Sequence, residues 1–114
     1  MNPKAFVVLH GVNASPPMSA EARVLAGVLL RRIQNGEILS MPRSRPMPSI
    51  GKRCHELRIP DGDVTWRVIY RADPDADPDA VLVADVFAKK TRTTPKRVID
   101  TCIARMSAYD RDTA

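Results

Sequence analysis

The sequence predicts one α+β domain: a small, mainly antiparallel sheet, one N-terminal strand plus a three-strand meander, with helices packed on one face. Three observations predict it. Two segments carry apolar residues at helical spacing, and four are β-branched or alternating runs of strand length. Their order is strand, helix, loop, three strands, helix, with no long-period repeat. At 114 residues the chain has room for one domain, residues 1–114, and none for a second catalytic module.

The first strand is read at Ala5-Phe6-Val7-Val8-Leu9, whose near-continuous hydrophobicity suits an internal position. After Ser15-Pro16-Pro17, an amphipathic helix is expected from about Ser19 to Asn35, with Leu25, Val28, Leu29 and Ile33 on its buried stripe and Asn35-Gly36 as its stop. From about 40 to 51, Pro42, Pro46 and Pro48 block both helix and central strand, so a basic, irregular connection is expected. Cys54–Ile59 and Val64–Ala72 read as a hairpin through Asp61-Gly62, and Ala80–Ala88 as the last strand. Between those strands, Asp73-Pro74-Asp75-Ala76-Asp77-Pro78-Asp79 reads as a solvated loop, its prolines unsuited to wrapping a calcium ion. The final helix is expected to start with Thr94 as N-cap and Pro95 at the first helical position, to bury Val98, Cys102 or Ile99, Ile103 and Met106, and to end near Tyr109 before a mobile 110–114 tail.

Composition narrows the function. Hydrophobic residues are 44% and charged residues 27%, and apolar runs such as Ala5 to Leu9 fall far short of a membrane span. The same run is too short for a secretory signal, and Cys54 and Cys102 show neither zinc-site nor redox spacing, so buried thiols and a cytoplasmic location are expected. There is no P-loop, dinucleotide fingerprint or metal-ligand cluster, and His10 with His55 makes no zinc site; neither cofactor nor metal is expected. A net charge of +5 favours a polyanionic partner.

Period-two alternation sorts the strand residues by face. If the apolar sets face the helices, Glu56, Arg58, Arg67, Arg71 and Asp85 share one exposed face. Trp66 and Tyr70 fall on the apolar side and read as core, and the methionines Met18, Met41, Met47 and Met106 as gap fillers. The string Lys89-Lys90-Thr91-Arg92-Thr93-Thr94-Pro95-Lys96-Arg97, with five basic residues and no acid, follows where the last strand turns into the helix. Arg43, Arg45, Lys52 and Arg53 add charge from the proline-rich connection. Such a face suits an RNA backbone, with Phe87 and Tyr109 offering ring surfaces; a solvated face of cross-strand ion pairs fits the same pattern.

Three strings carry a resemblance: Cys54-His55-Glu56-Leu57-Arg58-Ile59, Trp66-Arg67-Val68-Ile69-Tyr70 and Val86-Phe87-Ala88-Lys89-Lys90-Thr91-Arg92-Thr93-Thr94-Pro95-Lys96. They resemble, in text and order, the RelE/ParE superfamily of toxins from bacterial type II toxin–antitoxin pairs, particularly its phage-derived, HigB-like branch, over about Ala20 to Tyr109. The resemblance implies a microbial-RNase-like fold, a cognate antitoxin, expected to be a helix-turn-helix protein, and metal-independent cleavage of messenger RNA on the ribosome. No membrane partner is implied. ParE-like members instead poison DNA gyrase, and a non-toxic, nucleic-acid- or protein-binding remnant of a mobile element is a further alternative.

Cleavage of RNA without a metal needs a base for the 2′-hydroxyl proton, cations for the charge on the phosphorane oxygens and an acid for the leaving 5′ oxygen. Arg67 matches the family's strand arginine and is the first candidate for charge stabilisation, with Arg58 as second phosphate ligand. Glu56 is either the base or the residue that orients the arginines, and His55 is a further base candidate whose parity places it with Leu57 and Ile59. Lys89, Lys90, Arg92, Lys96, Arg43, Arg45, Lys52 and Arg53 are the RNA-binding candidates. The family often carries a histidine or tyrosine near the end of the last strand or in the C-terminal tail; here the strand position is Asp85, leaving only Tyr109 nearby in sequence, a departure from the family's acid and base pattern.

Overall fold

The structure, a computed structural model, describes residues 5–13, 15–72, 80–89 and 93–113. The Asp-Pro-Asp loop, Lys90, Thr91 and Arg92 lie outside these residues. Seven elements follow in chain order: β1 (Ala5–Val8), α1 (Ala20–Gln34), β2 (Ser44–Pro46), β3 (Cys54–Asp61), β4 (Val64–Ala72), β5 (Ala80–Lys89) and α2 (Lys96–Asp112). The strands form one sheet in the order β1-β5-β4-β3-β2, antiparallel except for the parallel β1–β5 pair. This is the expected α+β class with a mainly antiparallel sheet.

The helices, however, lie on opposite faces rather than one. Ala22, Ala26, Leu29 and Ile33 of α1 join a core with Leu57, Ile59, Trp66, Val68, Tyr70, Val81 and Val83. Val98, Cys102 and Met106 of α2 join another with Cys54, Ile69, Leu82 and Ala84 from the other face. A central sheet with apolar residues on both faces needs a layer on each, and β5 is apolar on both.

Local chemistry explains most element ends. Ser19 caps α1, its hydroxyl accepting the Ala22 N–H at 3.1 Å, and Gly36 (φ +92°) follows Asn35 in the left-handed region that ends the helix. The α1 stripe differs from the expected one: the small residues Ala22 and Ala26 face the sheet, while Val28 is exposed. Gly62 (φ +60°) opens the two-residue β3–β4 turn, where a side chain would be strained.

Three further expectations are corrected. β1 is an edge strand, not an internal one; its partner is β5, and Phe6 and Val8 remain partly exposed. Within the proline-rich connection Ser44-Arg45-Pro46 pairs with β3, because a sheet edge tolerates a proline whose missing donor would break a central ladder. α2 is capped by Pro95 rather than Thr94, exposes Ile103, and runs through Asp112, so residues 110–112 are helical rather than tail. Met47 and Met106 are buried as gap fillers, whereas Met41 is exposed.

Candidate functional site

Glu56 is fully buried and directly opposite two neighbours: Arg45 on β2 and Ile69 on β4. Two pairs further along β3, Arg58 faces Arg67, which faces Phe87. Directly paired residues share a face, so Arg45, Glu56, Arg58, Arg67 and Phe87 converge on the side that α2 covers only in part. Lys89, paired with Thr65, continues that face along β5.

The Glu56 carboxylate is the hub. Its Oε1 accepts from Arg67 Nη1 at 2.6 Å, Arg45 Nε at 3.2 Å and Arg58 Nε at 3.4 Å, while Oε2 accepts from the Thr94 hydroxyl at 2.7 Å. Burial works against its charge, but the Thr94 hydroxyl and the Arg67 and Arg45 guanidinium groups outweigh burial and hold the carboxyl below the usual range. An ionised carboxylate with these partners fixes guanidinium orientation.

Accessibility then separates the arginines. The Arg67 side chain is 5% exposed, against 23% for Arg58 and 30% for Arg45. The two edge-side guanidinium groups therefore reach the surface, and Arg67, the first candidate by motif, lies beneath them. A guanidinium oriented by a carboxylate and reaching the surface is placed to meet a phosphate from solvent.

The other candidates separate by position. His55 alternates with Glu56 and stacks on Tyr70 (centroids 5.4 Å apart) over the α1 face, its Nδ1 3.1 Å from the Arg53 carbonyl oxygen; it is not part of the arginine cluster. Arg43 accepts the Arg58 N–H through its carbonyl at 2.8 Å and extends an exposed side chain near the cluster. Lys96 sits exposed at the start of α2 and pairs with Asp100 at 2.9 Å. Lys52 and Arg53 lie in the β2–β3 turn, at the other end of the sheet face, beside Cys54, Arg71 and Asp110.

Two residues expected on the open face are engaged by α2. Arg71 donates twice to Asp110, at 2.9 and 2.6 Å, and Asp85 lies 3.3 Å from Arg105. The alternation assumed for β5 fails because the pairing jumps from Ile69–Asp85 to Tyr70–Val83, leaving Ala84 as a bulged residue; Leu82 and Ala84 face α2, but Val86 faces α1. Arg105 Nη1 donates to the Ala84 carbonyl at 2.7 Å, supplying that bulge with a partner.

Thr94 and Arg105 had not been singled out as partners of the sheet. A signal existed for Arg105, seven residues after Val98 on the buried stripe. For Thr94 it was weak, because a Thr-Pro pair before a helix reads equally well as a cap. Tyr70 and Trp66 are core as expected: Tyr70 bonds the buried Ser44 hydroxyl at 2.7 Å, and Trp66 Nε1 donates to Asp61 at 3.0 Å. Cys54 and Cys102 are buried free thiols, and burial pushes Cys102 up to about 12.

Fold and site together define a small sheet protein with a carboxylate-anchored arginine cluster on a partly open face. The family described as Phage derived protein Gp49-like (DUF891) matches residues 17–107. The chain belongs to this family, which is part of the RelE/HigB-type toxin superfamily. No curated protein matches the chain. No helix among the described residues is long and apolar enough to cross a membrane.

Proposed function

We propose that this chain is the toxin of a type II toxin–antitoxin pair, of the HigB-like kind, and that it acts in the cytoplasm as a metal-independent endoribonuclease cutting messenger RNA on the ribosome. A cognate antitoxin, expected to be a helix-turn-helix protein, restrains it. The observation that carries this reading is the pair Arg45 and Arg58, anchored on Glu56 yet reaching the surface on the sheet face that also holds Phe87 and Lys89.

In the reaction the 2′ oxygen of one nucleotide attacks the adjacent phosphorus, the bond to the 5′ oxygen breaks, and the 2′ proton is lost as the 5′ oxygen gains one. Charge grows on the non-bridging phosphate oxygens, where Arg58 and Arg45 supply preorganised donors, each worth on the order of a hundredfold in rate. Glu56 orients them; it is sealed from a 2′-hydroxyl and already accepts from four groups. Arg67 supports the hub from beneath. Phe87 offers a stacking surface, and Lys89 with Lys96, Arg43, Lys90 and Arg92 tracks the RNA backbone. Lys52 and Arg53, at the far end of the face, engage a more distant stretch of RNA.

His55 lies on the opposite face and Glu56 is enclosed, so the proton transfers are not assigned to either. That placement favours a second reading, a ParE-like poison of DNA gyrase, in which no phosphate chemistry occurs on this face. Expression of wild type and Arg58→Ala separates the two: message cuts abolished by the substitution support the nuclease, whereas intact messages with altered plasmid supercoiling support the gyrase poison.

A further inference from the structure

Thr94 immediately precedes Pro95, where α2 begins, and a threonine hydroxyl at such a place ordinarily accepts an N–H of the first helical turn. Here Pro95 takes the cap position with no side-chain cap hydrogen bond, and the first turn contains no acidic residue. The Thr94 side chain is committed elsewhere. Buried at 7% exposure, its hydroxyl donates to Glu56 Oε2 at 2.7 Å and accepts from Arg45 Nη2 at 3.4 Å.

This bond joins two parts of the molecule. On one side are the arginines of β2, β3 and β4; on the other is the basic segment that leaves β5 and becomes α2. With Oε2 held by Thr94, Oε1 faces all three guanidinium groups. We propose that Thr94 is a positioning residue: its hydroxyl orients the Glu56 carboxylate, through it sets Arg45 and Arg58, and by the same bond fixes the start of α2, with Lys96, beside them. Its consequence for catalysis rests on the nuclease reading; the positioning itself does not.

The test uses the full chain as wild type, Thr94→Ser, which keeps the hydroxyl, and Thr94→Val, which keeps the shape and removes it. Thr94→Ala is the second hydroxyl-free variant should Thr94→Val fail to fold. Among the described residues, the charged groups facing Glu56 are Arg45 from β2, Arg58 from its own strand and Arg67 from β4, and all remain in each variant. Carbon-13 titration of the Glu56 carboxyl is expected to move upward in Thr94→Val and to stay near wild type in Thr94→Ser. In a translating extract, the single-turnover cleavage rate at saturating ribosomes is expected to fall about tenfold or more in Thr94→Val, with the half-saturating concentration nearly unchanged and Thr94→Ser close to wild type. A wild-type Glu56 titration in the folded hydroxyl-free variants overturns the positioning role, as does an equal rate loss in Thr94→Ser. A wild type that cuts no message removes the nuclease reading, while the titration still decides what Thr94 does.

Discussion

Glu56 holds a negative charge with no exposure to water, opposite three guanidinium groups and one hydroxyl. Such an arrangement is costly to break from one side, because the remaining charges are left buried without compensation. Glu56→Gln is expected to cost about 3 kcal/mol in denaturant unfolding. The folded carboxyl titrates below its value in the unfolded chain, so its contribution is complete above about pH 4.3 and is lost as pH falls through the folded value. Asp110, lowered chiefly by its hydrogen bond from Arg71, adds to this acid sensitivity. Thermal melts of wild type should therefore decline on acidification below that range, and Glu56→Gln should flatten the decline. The arginines should divide likewise: Arg67→Ala, which uncovers a buried ion pair, lowers stability by about 3 kcal/mol or more, whereas Arg58→Ala, nearer the surface, costs about 1 kcal/mol. Paired unfolding curves check that division. The motif strings hold Glu56, Arg58 and Arg67, which the fold brings into contact, but burial could not be read from them: alternation tells which residues share a face, not that Thr94 and Arg45 close over Glu56.

Elements with strong local chemistry were legible in the sequence. The α1 boundaries follow from Ser19 and Asn35-Gly36, and the β3–β4 hairpin from Asp61-Gly62. Asp61 joins the two, accepting the Ser19 N–H at 2.9 Å as well as Trp66 Nε1, so the α1 cap is tied to the hairpin. Ser19→Ala is expected to cost about 1 kcal/mol by denaturant unfolding. Elements that depend on distant partners were not legible. β2 depends on the edge that β3 offers to Ser44-Arg45-Pro46, and at the β5 bulge Arg105 of α2 bonds the displaced Ala84 carbonyl. A bulge of one residue inverts the inferred face of everything beyond it, so Val86 faces α1 although simple alternation puts it in step with Leu82.

At the scale of the molecule, the sheet divides two environments. α1 covers the face holding Trp66, Tyr70 and His55; α2 covers part of the other, leaving the arginine cluster at its open end. The α+β class follows from the order of elements, yet the helix placement required knowing that β5 is apolar on both faces and central in the sheet. The net charge of +5 gains meaning from this division, since Arg45, Arg58 and Lys89 share one face of the sheet. Binding to single-stranded RNA should weaken as salt rises, and removal of one phosphate-contacting arginine by Arg45→Ala should reduce the slope of log K against log salt by about 0.7 in fluorescence titrations. The most direct measurement is mapping of messenger RNA 5′ ends after pulsed expression of wild type and Arg58→Ala, with both shown to be folded and equally abundant. New cuts in translated messages that vanish with Arg58→Ala are expected; growth arrest without cuts, or cuts unchanged by the substitution, would contradict the assignment of this face to RNA cleavage.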